Sequence, residues 1–138
     1  MHTRWLWVVF AIVLTAGCLS AQQGIGSRVV ANMPFGFTAG NTSLPAGQYE
    51  VAEVTANILR VRDKTTQNQA LVLTTGGCVS AEDVPAKLVF RRYGDTYFLA
   101  EVWAGEKRGS FVPTTKQEKD VALIAARQAE RVTVAGIR

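Results

Sequence analysis

Residues 87–103, Lys87-Leu88-Val89-Phe90-Arg91-Arg92-Tyr93-Gly94-Asp95-Thr96-Tyr97-Phe98-Leu99-Ala100-Glu101-Val102-Trp103, read as two β-strands joined by a tight turn. Both flanks are rich in aromatic and β-branched residues. The connection between them, Gly94-Asp95, suits a two-residue primed turn whose twist matches its strands. Short strands with turn chemistry every ten or so residues continue on both sides. The chain is therefore expected to be mainly β: a small antiparallel sandwich or barrel of about six to seven strands, with one C-terminal helix.

Upstream of this hairpin, Val29, Ala31, Met33, Phe35 and Phe37 alternate with Val30, Asn32, Pro34 and Gly36, the period of a half-buried strand. Pro34 cannot donate to a ladder, so this strand should lie at an edge or break near its middle. Ala39-Gly40-Asn41-Thr42 and Leu44-Pro45-Ala46-Gly47 are turns. Gln48 to Val54, Ile58 to Arg62 and Ala70 to Thr74 are strands, and Gly76 to Asp83 reads as the longest irregular loop. Downstream the period changes. Thr114 and Thr115 precede Gln117 and Glu118 at three-residue spacing, a doubled capping-box signal for a helix near 115–131. Val121, Ile124, Ala125, Ala129 and Val132 form a stripe expected to pack on the sheet, and Val132-Thr133-Val134 can add a last short strand.

The N-terminus has a different character. Arg4 precedes Trp5 to Leu14, ten unbroken apolar residues, and then the small residues of 15–21. A run that short falls below the ~20 residues needed to span a bilayer and fits the core of a signal peptide, residues 1–21. Cleavage after Ala21 gives a protein of the periplasm or the extracellular space. The competing reading takes Leu14-Thr15-Ala16-Gly17-Cys18 as a lipoprotein box, which would acylate Cys18 and anchor the chain to the envelope. Residues 22–27 then form a glycine-bearing leader and 28–138 a single β-rich domain.

Loss of residues 1–21 removes the single histidine, His2, and two of the three tryptophans, Trp5 and Trp7. Fourteen basic residues then face eleven acidic ones. Cys78 becomes the lone thiol of the domain. A disulfide framework within one chain is thereby excluded, as is a cysteine–histidine metal site, and no cofactor is expected. The modest positive charge, with Arg91-Arg92 and Lys107-Arg108 as pairs rather than a stripe, argues against nucleic acid. It leaves room for attraction to anionic envelope polymers.

Four segments resemble a group of small exported bacterial proteins, typical of soil lineages, to which no activity is assigned. They are Met33-Pro34-Phe35-Gly36-Phe37, Leu44-Pro45-Ala46-Gly47-Gln48-Tyr49, Leu88 to Leu99, and the charged helix after Val112-Pro113. The resemblance implies an exported β-domain followed by a helix and carries no catalytic assignment.

Candidate chemistry is correspondingly sparse. Cys78, behind Gly76-Gly77, has no histidine to activate it. Two fates stand side by side for it: an accessible thiol joining two chains in a homodimer, or a small packed side chain. Glu50 and Glu53 fall on opposite faces of one strand, while Glu101 lies beside Trp103, where a small carbohydrate-active enzyme would place a carboxylate. Tyr93, Tyr97 and Trp103 share one side of the hairpin if its register is regular. There they would either stack on an envelope polysaccharide or another envelope protein, or supply core. No catalytic constellation emerges, so an exported non-catalytic binding or structural module is expected, with an enzyme or a ligand-binding barrel as alternatives.

Overall fold

The computed structural model describes residues 28–105, 107–125 and 128–138, with the backbone alone at 76–78. Two sheets form a sandwich around one core. The first strands are β1 (Arg28–Met33), β2 (Phe37–Ala39), β3 (Thr42–Leu44), β4 (Gly47–Thr55), β5 (Ile58–Asp63) and β6 (Gln69–Leu73). There follow β7 (Thr75–Val79), β8 (Lys87–Tyr93), β9 (Thr96–Trp103), β10 (Arg108–Phe111), the helix α1 (Lys116–Ala125) and β11 (Glu130–Ala135). The first sheet runs β1-β4-β5-β6, antiparallel throughout. The second runs β11-β8-β9-β10-β7, with the β2–β3 hairpin attached to β9 through the parallel pair Thr38–Phe98.

The alternating face of 29–37 does fill the core, but it serves two sheets. β1 ends at Met33, the chain crosses over at Pro34-Phe35-Gly36, and Phe37 opens β2 in the opposite sheet. Val29, Ala31 and Met33 thus meet Phe37, Leu88, Phe90 and Leu99 from across the interface. Tyr49, Phe37 and Phe90 pack edge to face at 5.0 and 5.4 Å between ring centroids. At one border the sheets are tied by backbone, since Val30 and Ile137 exchange two N–H···O bonds of 2.8 Å.

The barrel alternative gives way to the sandwich, and among the described residues eleven strands replace the expected six or seven. The additional ones are short segments that periodicity cannot reveal: β2, β3 and β10 are three or four residues long. The expected loop at Gly76–Asp83 begins as a strand, because β7 finds a partner in β10, with Cys78 opposite Gly109. The helix is shorter than expected and its stripe is not buried. Ile124 of that stripe is 86% exposed while Val121 and Ala125 are half-buried, and Glu118 is the buried residue of α1. Beyond the helix the chain turns into β11, which covers the edge of β8 and packs Val132 and Val134 on the core.

Candidate functional site

The outer face of the second sheet carries three of the residues singled out by sequence, Tyr93, Glu101 and Trp103. Lys87, Val89, Arg91 and Tyr93 of β8 point away from the core, because Leu88 and Phe90 point into it. On β9 the alternation is interrupted. Val89 pairs with Glu101 while Phe90 pairs with Leu99, so Ala100 is an extra, bulged residue. Leu99 and Val102 both reach the core as a result, and Glu101 and Trp103 lie outward. The expectation that Tyr93, Tyr97 and Trp103 share one side is corrected twice: Tyr97 pairs with Arg92 and so lies on the opposite face from Tyr93, and the bulge then sets Trp103 on the face opposite Tyr97. Tyr97 faces inward, stacked on Phe35 with ring centroids 3.8 Å apart, and the Arg92 guanidinium lies 5.4 Å from its centroid.

Trp103 is 7% exposed, with its indole pressed against the backbone of Gly109. Its Nε1 donates to Glu101 Oε2 at 2.9 Å, and Arg131 Nη2 pairs with Glu101 Oε1 at 2.9 Å. Both oxygens of Glu101 are therefore engaged, and the Trp103 ring is covered rather than offered to a sugar.

One strand away, Arg91 holds Glu118 in a two-point contact. Its Nε donates to Oε1 and its Nη2 to Oε2 at 3.0 Å, with a further bond of 3.2 Å from Nη2 to the Val112 carbonyl. The Tyr93 hydroxyl donates to Glu118 Oε1 at 3.0 Å. Burial holds the Tyr93 phenol above its ordinary value of 10.0, and the bond to Glu118 adds to this, so the phenol stays a donor. The capping signal is half realised: Thr115 Oγ1 accepts from Glu118 N at 3.2 Å. The Glu118 carboxylate, instead of returning to the cap, turns inward to Arg91 and fastens the helix to the sheet.

A third carboxylate lies on the outer face of the first sheet. Glu50 of β4, buried, is surrounded by Arg62 Nη2 at 3.3 Å, Arg28 Nη1 at 3.6 Å and Arg60 Nη2 at 3.9 Å. Sequence reading treated Glu50 only as a candidate acid. It missed the arginines because they come from different strands and meet only through the register of β1, β4 and β5. At the far end of β5, Asp63 accepts from Thr65 N at 2.7 Å and Thr66 N at 3.2 Å, closing the turn into β6. The bond from Thr65 N, foremost, holds its carboxyl below the ordinary 3.8, although burial opposes the shift.

Among the described residues no group of three or more His, Cys, Asp or Glu side chains is placed to hold a metal ion, and no helix is long and apolar enough to cross a membrane. Cys78 lies in β7, at the edge of the second sheet, and its side chain lies outside the described residues, as does Cys18. A groove of about 210 Å³ runs between Leu71 and Leu73 of β6, the Gly40–Thr42 turn and Val112-Pro113. No family model matches the chain, and no curated protein or solved structure matches it either.

Proposed function

We propose that this chain is an exported, non-catalytic β-sandwich that acts as a binding or envelope-associated structural module. The observation that carries this reading is the employment of its buried carboxylates. Glu101 is closed by Trp103 and Arg131, Glu118 by Arg91 and Tyr93, and Glu50 by three arginines. General acid–base work on a glycosidic bond needs two carboxyl groups reaching one substrate across a cleft. Here each one instead fastens strands or a helix together.

Export is supported by the charged, apolar and small order of residues 1–21, with the lipid-anchored form at Cys18 as its variant. The carbohydrate-active alternative rests on Glu101 beside Trp103. The two do touch, but as hydrogen-bonded partners with a buried ring. The ligand-binding barrel requires the odd face of β1 to line a cavity, whereas Val29, Ala31 and Met33 pack directly into the core cluster.

The test is a screen of purified protein against chromogenic glycosides, esters and peptides, with Glu101→Gln and Glu118→Gln beside it. No turnover above that of the two variants is expected. Robust hydrolysis abolished by either single substitution would overturn the proposal.

A further inference from the structure

The outer face of the first sheet combines two features. By register, Leu71, Arg60, Ala52 and Arg28 form one row across β6, β5, β4 and β1. Gln69, Arg62, Glu50 and Val30 form the next. These residues point outward because their strand neighbours Val29, Val51, Val61 and Val72 fill the core.

Three guanidiniums gather round the single carboxylate of Glu50, so two positive charges remain uncompensated on this face. The cluster is more open than the Arg91–Glu118 contact: the Arg28, Arg60 and Arg62 side chains are 64%, 38% and 35% exposed, against 22% for Arg91. Beside the arginines, on the edge strand β6, Leu71 and Leu73 are 64% and 69% exposed. Leucines exposed at a sheet edge add apolar surface where natural edges usually place charge. A surface that presents phosphate oxygens to guanidiniums and an acyl boundary to leucines satisfies both features at once.

We propose that the outer face of the first sheet is a docking surface for membranes containing anionic phospholipid. Arg28, Arg60 and Arg62 meet headgroup phosphates, and Leu71 and Leu73 enter the boundary below them. The charge complementarity selects an anionic bilayer over a neutral one, and the small area makes the association reversible. The inference deepens the envelope-associated reading and rests on it only for which membrane is met.

The experiment is vesicle flotation of the exported protein on phosphatidylcholine vesicles, with and without phosphatidylglycerol, at low salt and at about 0.5 M salt, where charge is screened within ~4 Å. Preferential partition onto the phosphatidylglycerol vesicles is expected, lost at high salt. Arg60→Gln/Arg62→Gln should lower it on the order of thirty-fold, at about 1 kcal/mol for each basic residue at a membrane surface. Leu71→Ser/Leu73→Ser changes only exposed side chains, so it tests the proposal without disturbing Glu50, and should lower partition by about tenfold or more.

All the proteins share the same N-terminal residues, so binding from that end is common to every sample and insensitive to these substitutions. Equal partition onto neutral and anionic vesicles, or partition that neither double variant lowers, overturns the proposal. So does a dimer on size exclusion that either double variant dissociates while vesicle binding is unchanged, because the face would then join two chains. Enzymatic turnover in the screen above would sink the proposed function and leave the vesicle result standing.

Discussion

Removing the Glu118 carboxylate should be among the most damaging single changes to the sandwich, although the residue lies on a short surface helix. Glu118 is 1% exposed, and it accepts two bonds from Arg91 and one from Tyr93. Taking one partner from a buried ion pair costs about 3–5 kcal/mol, because the other charge is left uncompensated. The Arg91 side chain is 22% exposed and keeps the Val112 carbonyl, which places Glu118→Ala at the low end, about 3 kcal/mol. For a domain of this size that corresponds to a fall in Tm of roughly 10–15 °C. Glu118→Gln keeps acceptors for Tyr93 and Arg91 while losing the charge, and should cost about half as much. Ile124→Ser, on the apolar stripe of the same helix but 86% exposed, should stay within about 0.5 kcal/mol of the parent. Thermal and urea unfolding followed by circular dichroism measure all three. Near-parental stability of Glu118→Ala, or an Ile124→Ser variant as damaged as it, would refute the view that α1 is held by its carboxylate rather than by an apolar stripe.

Gly109→Ala should destabilise by about 1–3 kcal/mol, because the added Cβ would lie 2.6–2.8 Å from the Trp103 indole; a shifted tryptophan emission spectrum would accompany the loss. Acid should weaken the turn after β5. The Asp63 carboxyl is held below 3.8 when folded, so its contribution is complete above that value and is lost as pH falls through the lower, folded one. In Asp63→Asn that part of the acid dependence should vanish, as read from urea midpoints between about pH 5 and pH 2. Protein from an oxidising compartment should show a band at twice the monomer mass on non-reducing electrophoresis, absent with reductant and in Cys78→Ser. A thiol that resists alkylation until the protein is denatured would instead place Cys78 in packing.

The fold was legible where one period held over a whole element. The hairpin at 87–103, β4 to β6, and the alternation through Phe37 all carried their signal in the spacing of apolar residues. Pro34 also announced the place where the first strand breaks. What escaped was decided by contacts distant in sequence. β7 is a strand because β10 lies beside it, not because Thr75-Gly76-Gly77-Cys78-Val79 prefers to be one. The bulge at Ala100 has no local signature, yet it separates Tyr97 from Trp103 and decides which aromatic is covered by which face. The helix misled because Val121, Ile124 and Ala125 make a plausible stripe, while an ion pair with a residue 27 positions upstream fixes its orientation. The arginine cluster around Glu50 joins β1, β4 and β5 in the same way. A charge pattern within any one of those strands does not predict it.

Export is the premise of the proposed role, and intact mass spectrometry of fractionated cells tests it most directly. Expression in a bacterial host with a native envelope should yield a chain beginning at Gln22 in the periplasmic or extracellular fraction. Its lipid-anchored variant would be a membrane-fraction species beginning at an acylated Cys18. An uncleaved chain retaining Met1 and confined to the cytoplasm would contradict export and, with it, the envelope role proposed for the sandwich.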